Sequence, residues 1–146
     1  MGGYKPDKCA WRGKSMTTKK PWGEETSWSA LPSIIGKVLS IKEGHRKSLK
    51  YNPHKDEVFY VKTGTVEFLH ADEEWLHYRN SEGVKRETLN EGDSMIVQSH
   101  CVYRMKAVTD CEVIEIGNRP GMNPVRLHDD YGRDTSEAVF PNPIPE

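Results

Sequence analysis

Long apolar runs are missing from this sequence. No stretch among its 146 residues approaches the roughly 18–20 apolar residues that cross a bilayer as a helix, so a helical membrane protein is not expected. Hydrophobic residues make up only 35% of the chain and mean hydropathy is -0.77, the values of a water-facing chain with polar loops. The first twenty residues lack the apolar centre of a signal peptide, which makes the cytoplasm the expected compartment. Cysteine is scarce: Cys9, Cys101 and Cys111 are odd in number and widely spaced, which excludes a disulfide framework and fits free thiols. An excess of charge is lacking too. With 21 basic against 22 acidic residues and a pI near 6.6, no global field draws the chain to nucleic acid or acidic lipid. There is no internal repeat, no glycine-rich phosphate loop, no nucleophile elbow and no paired-cysteine zinc knuckle.

What the chain does have is a series of short β-type segments. From Ile34 the pattern turns apolar, with Ile35, Val38, Leu39 and Ile41 before the turn at Glu43-Gly44. Further strands are expected over 46–52, 57–62, 65–70, 75–79, 84–89, 94–98, 101–107 and 111–117, separated by turn-forming clusters such as Glu91-Gly92-Asp93. β-branched and aromatic residues fill these segments, and no amphipathic helix of three turns interrupts them. That spacing predicts an all-β sandwich or barrel. The length suits one domain. Residues 1–18 show no periodicity, so the expected organisation is an irregular arm over 1–19, a folded domain over 20–133, and a proline-spaced surface tail over 134–146.

Between Gly44 and Gly64 a ligand-type pattern stands out. Asn52 and His54 are two residues apart, so on a continuous strand they share a face, and Glu57 can meet them from the next strand. Imidazole with carboxylate suits zinc, manganese, iron, nickel or cobalt. The segment resembles the first motif of the cupins, and Glu91–Tyr103 resembles the second, with Gln98, His100 and Tyr103 at its marked positions. Lys20-Pro21-Trp22-Gly23, Ser48-Leu49-Lys50-Tyr51 and the closing Asp129-Asp130-Tyr131-Gly132-Arg133 narrow the likeness to the cupin domain of type II mannose-6-phosphate isomerases, which usually follows a mannose-1-phosphate guanylyltransferase.

The resemblance implies a single cupin, a jelly-roll-like antiparallel β-barrel, acting on or binding a sugar phosphate in its barrel. It implies a divalent metal held by Asn52, His54, Glu57 and Tyr103, catalysis by Glu57 and Lys50, and substrate contacts from Arg46, Lys50, Tyr103 and Arg104. Asn52 and Tyr103 stand where the family has histidines, and Lys50 replaces a glutamine. A neutral amide binds a borderline metal less well than imidazole, and a phenol must first lose its proton. Lys50 adds a cation that repels a metal and attracts a phosphate. Two other readings therefore stand beside the isomerase: a non-catalytic cupin that binds a small ligand or partner without metal, and another metal-dependent cupin such as a dioxygenase.

Bland roles remain for many of these residues. His54 and Glu57 can be a buried hydrogen-bonded pair, and the basic run from Lys42 to Lys55 can be a solvated strand face. His100 lies on the wrong parity to replace Tyr103 as a ligand. His45, His70, His77 and His128 have no partner at ligand spacing, while Glu73-Glu74 and Asp129-Asp130 read as solvated loop charges. Trp22, Trp28 and Trp75 read as packing residues, and Trp11 in the arm as a partner contact if exposed. An arm of about twenty residues can cover a sheet edge in a second subunit, so a homodimer is expected.

Overall fold

Among the described residues eleven strands form two antiparallel sheets around one interior, with burial alternating most regularly along Glu57–Thr63 and Cys111–Asn118. The computed structural model describes residues 3–29, 31–79, 81–118 and 123–135. Most of the tail expected on the surface, from residue 136 on, lies outside the described residues. The strands are β1 (Met16–Lys20), β2 (Gly23–Ser27), β3 (Ile34–Ile41), β4 (Leu49–Tyr51), β5 (Glu57–Thr63), β6 (Val66–Ala71), β7 (Val84–Leu89), β8 (Ser94–Val97), β9 (Val102–Ala107), β10 (Cys111–Asn118) and β11 (Val125–His128). One sheet has the order β1-β2-β3-β10-β5-β8, the other β11-β4-β9-β6-β7.

Trp22, Leu39, Phe59, Val61, Phe68, Met105 and Val113 fill the space between the sheets. At the closed end the β5–β6 hairpin turns at Gly64, whose φ of 81° and close approach to the Asp110 carbonyl admit no side chain. A second apolar cluster, Leu49, Leu69, Ala71, Trp75, Val102 and Leu127, gathers on the outer side of the five-stranded sheet. Truncating a fully buried aromatic such as Phe59 or Phe68 in such a core costs about 3–5 kcal/mol.

Three local expectations change. Residues 75–79 form no strand: Trp75–Tyr78 is a single helical turn, closed by Arg79 in the left-handed region with its N–H on the Trp75 carbonyl. Its guanidinium lies 4.8 Å from the Trp75 ring centre, a cation–π contact that joins the end of the turn to its start. The strand expected over 46–52 shrinks to Leu49–Tyr51: Pro53, which cannot donate to a ladder, follows its far end, and before its start Arg46 makes only an isolated bridge to Lys106. A strand begins at Met16, inside the stretch expected to be irregular, and pairs with β2 from Met16↔Ser27 to Lys20↔Gly23. Its threonines and lysines are mostly exposed, so no apolar alternation marked it.

Candidate functional site

Strand pairing, more than sequence proximity, assembles the polar interior. Glu57 opens β5 on the inward parity of Phe59 and Val61. Opposite it stands Gly117, where a Cβ would come within 3.0 Å of the Asp56 carbonyl oxygen and 3.4 Å of the Glu57 Cγ. Tyr103 comes from β9 and lies across from Lys50 on β4, which turns both side chains inward. Asn52 follows β4 and is fixed by the His100 N–H on its carbonyl at 2.9 Å.

The Glu57 carboxylate is the hub. Its Oε1 accepts hydrogen bonds from Asn52 Nδ2 at 2.6 Å and from the Tyr103 hydroxyl at 2.5 Å, while Lys55 Nζ lies 3.4 Å from Oε2. Glu57 and Tyr103 are each only 1% exposed. Beneath them Phe59, Phe68 and Tyr103 form an aromatic floor with ring centres 5.4–5.8 Å apart. Lys50 Nζ lies 5.7 Å from the Tyr103 ring centre and Lys47 Nζ 4.9 Å from that of Trp22. Glu115, one pair further along β10, brings a second buried carboxyl to the cluster.

The titration behaviour follows from this packing. Burial raises the Glu57 carboxyl, but Lys50, Lys55 and the Tyr103 hydroxyl outweigh it and hold Glu57 below its ordinary value. Burial, then the Glu57 and Glu115 charges, push the Tyr103 phenol well above its usual range, so it stays a hydrogen-bond donor. Burial, then the neighbouring Lys50, bring Lys47 down to about 7, and burial lowers Lys50 as well.

Of the four expected metal donors, the structure brings three together: Asn52, Glu57 and Tyr103. His54 lies apart, exposed in the loop between β4 and β5. The strand ends at Tyr51, so the alternation that would align His54 with Asn52 does not extend that far. The donors do not fit a divalent metal. Asn52 turns its NH2 toward Glu57, Tyr103 donates a proton that it holds firmly, and the carboxyls of Glu57 and Glu115 share their surroundings with the cations of Lys47, Lys50 and Lys55. Among the described residues no three His, Cys, Asp or Glu side chains are grouped to hold a metal ion.

Two of the expected substrate residues lie elsewhere. Arg104 alternates with the inward Tyr103 and Met105, so it points to the outer side of the five-stranded sheet. There it donates to the Lys47 carbonyl at 2.7 Å and meets His128 Nδ1 at 3.1 Å and Asp130 Oδ1 at 3.5 Å. Arg46 joins it through a two-pronged pair with Asp130. Asp129 is not a solvated loop charge either. Its buried carboxylate accepts the Tyr131 and Arg133 N–H groups and pairs with the Arg133 guanidinium at 2.8 Å. The Asp129–Arg133 segment thus works as a clamp on the back of the sheet.

Lys47 and Glu115 are the members that sequence reasoning passed over. Glu115 was findable: it shares the parity of Cys111 and Val113, so a carboxylate sits on the apolar face of its strand. Lys47 gave no such signal, since it precedes β4 in a run of bases.

No protein-family model matches the chain, and no curated protein sequence matches it. Solved structures do. KdgF from Halomonas sp. superposes with a TM-score of 0.58 at 17% identity, over 73% of this chain and 88% of that one. An RmlC-like cupin from Shewanella frigidimarina gives 0.59 at 15%, over 74% and 86%. The chain has the cupin fold. A variant of oxalate decarboxylase from Bacillus subtilis gives 0.63 at 14% identity, over 77% of this chain but only 30% of the decarboxylase, an enzyme with Mn(II) centres.

Proposed function

We propose that this cupin binds a small hydroxylated anion of the sugar-phosphate class at its barrel mouth without a metal, lysine ammonium groups supplying the positive charge. The observation that carries this reading is the buried hub: Glu57 saturated by Asn52, Tyr103 and Lys55, with Lys47 and Lys50 beside it. Lys50 and Lys55 are only partly buried, with Lys55 Nζ 3.4 Å from the Glu57 carboxylate and Lys50 Nζ over the Tyr103 ring. A phosphate or carboxylate would gain charge-assisted hydrogen bonds there, and the sugar hydroxyls would meet the polar rim.

Binding is favoured over turnover. Isomerisation would use Glu57 as the base between C1 and C2 with Lys50 facing the developing oxyanion. Glu57 is held below the ordinary carboxylate range and its Oε1 already accepts two hydrogen bonds, which makes it a weak base. The likeness to mannose-6-phosphate isomerase then reflects a shared scaffold. The setting in this reading is the cytoplasm, where Cys9, Cys101 and Cys111 stay free thiols, and the working unit is a homodimer.

Calorimetric titration with mannose 6-phosphate, fructose 6-phosphate, mannose and inorganic phosphate tests the reading. Expected is binding of a sugar phosphate that survives chelator treatment, weakens with salt and is lost in Lys50→Met. Absence of binding across the set, or binding that needs an added divalent metal, overturns it.

A further inference from the structure

The outer side of the six-stranded sheet departs from the polar surface that a solvated antiparallel sheet usually presents. Among the residues alternating with the buried ones on β5, β8 and β10, Val58, Tyr60, Ile96, Ile114 and Ile116 are apolar, with Lys62, Ser94, Glu112 and Asn118 at the ends of the strands. The pairing register makes them continuous: Ile96 lies beside Val58, Val58 beside Ile116, Tyr60 beside Ile114, and Ile114 beside Val38 of β3. Trp28 extends the patch, its ring lying over Gly36 so closely that a Cβ there would come within 2.7 Å of it. Trp28 was expected to pack, yet its other face is open. Val58, Tyr60, Ile116, Trp28 and Ile96 are between 43% and 71% exposed. No charged residue interrupts these two rows.

We infer that this face is the surface on which two copies of the chain associate. The inference rests on the homodimer reading and names its surface; it does not depend on what the barrel binds. Seven apolar side chains left half open amount to roughly 500 Å², at the upper end of what a monomer exposes. With a polar rim, that approaches the about 800 Å² per partner of a stable interface. The rim argues for a second copy over an unrelated partner. Along the closed end it carries Lys19 and Lys62 with Glu24 and Glu112, equal numbers of each sign, so the face can meet itself without net repulsion. Two like sheets can then pack face to face in the aligned manner of a sandwich, in an isologous contact. On the outer side of the other sheet, among the described residues, Leu49, Leu69, Val102 and Leu127 are instead buried in one cluster with Trp75 of the helical turn.

Sedimentation velocity on the full chain at micromolar concentration is the test, with circular dichroism on every variant. Expected is a particle of twice the 16.7 kDa chain mass. Ile96→Lys, at the most exposed position, should weaken the dimer at least about tenfold with an unchanged spectrum, and the milder Ile96→Gln should act in the same direction. Trp11→Ala, in the arm, should leave the dimer intact. A parent protein that sediments as one chain overturns both the surface and the homodimer. A dimer that tolerates both Ile96 variants, or that falls apart with Trp11→Ala instead, overturns the surface alone.

Discussion

Strands β5 and β10 present two faces of reversed character. Toward the barrel mouth they place Glu57 and Glu115 in the interior, whereas their outer face carries Val58, Tyr60 and Ile116 in the open beside the half-buried Ile114. An ordinary two-layer domain puts the apolar set inside and the charged set outside. The inner exception holds because Glu57 has found partners, since a buried charge without them would shift its pKa or unfold its surroundings. The outer exception has no compensation among the described residues, and that difference separates the two roles. A compensated violation of patterning marks a built site, and an uncompensated one marks a surface waiting for a partner.

The sharpest way to break the comparison is to remove the hub. Glu57→Ala leaves Lys47, Lys50 and Lys55 with Glu115 as the remaining buried carboxyl of the cluster, and a loss of about 3–5 kcal/mol in urea unfolding is expected. A loss within the range of a surface substitution would mean that the charges are solvated after all. Lys50→Met added to Glu57→Gln should recover part of the loss, because it removes a cation together with its counterion.

The next effect is a pH dependence. Lys47 titrates at about 7 in the folded state and at its ordinary 10.5 when unfolded. Between those values the unfolded chain holds the extra proton, so stability rises with pH across that window, and it is lost as pH falls through 7. Relative to Lys47→Met, the parent should gain about 2–3 kcal/mol between pH 7 and pH 9. Parallel stability curves for the two proteins would place the Lys47 ammonium in water.

Tyr103→Phe removes one of the two hydrogen bonds on Glu57 Oε1 and should cost about 1–2 kcal/mol. Because Glu57 is held low in the fold, it contributes stability above its unfolded value that disappears as pH falls through its folded value. Loss of the phenol raises that folded value, so the acid midpoint of the variant should move to higher pH. The smallest folding effect belongs to the outer face. Val58→Thr should change monomer stability by no more than about 0.5 kcal/mol while still loosening association, a dissociation of effects that no inner residue should reproduce.

Much of the fold was legible because alternation is a robust signal. Ile34–Ile41 and Cys111–Asn118 were readable from β-branched residues at a period of two. The hairpin Met16–Ser27 was missed because it is mostly polar, and β11 because only Leu127 in it is fully buried. The interior hub was half legible. Asn52, Glu57, Tyr103 and Lys50 were named from motif spacing, and pairing across strands brought them together. His54 did not follow, since the rule of two holds only within a strand and Pro53 ends this one. Arg46 and Arg104 were misplaced for a related reason: proximity in sequence to Lys47 and Tyr103 puts them on the opposite side of the same sheet.

The most direct test of a cation-filled, metal-independent barrel is the metal content of protein purified without tag or chelator, read by elemental mass spectrometry beside the same measurement on Glu57→Gln. The account predicts well under one equivalent of any transition metal in both proteins, with a melting temperature of the parent that chelator does not change. One equivalent of manganese, iron, zinc, nickel or cobalt in the parent, lost in Glu57→Gln, would contradict it and return Asn52, Glu57 and Tyr103 to the role of metal ligands.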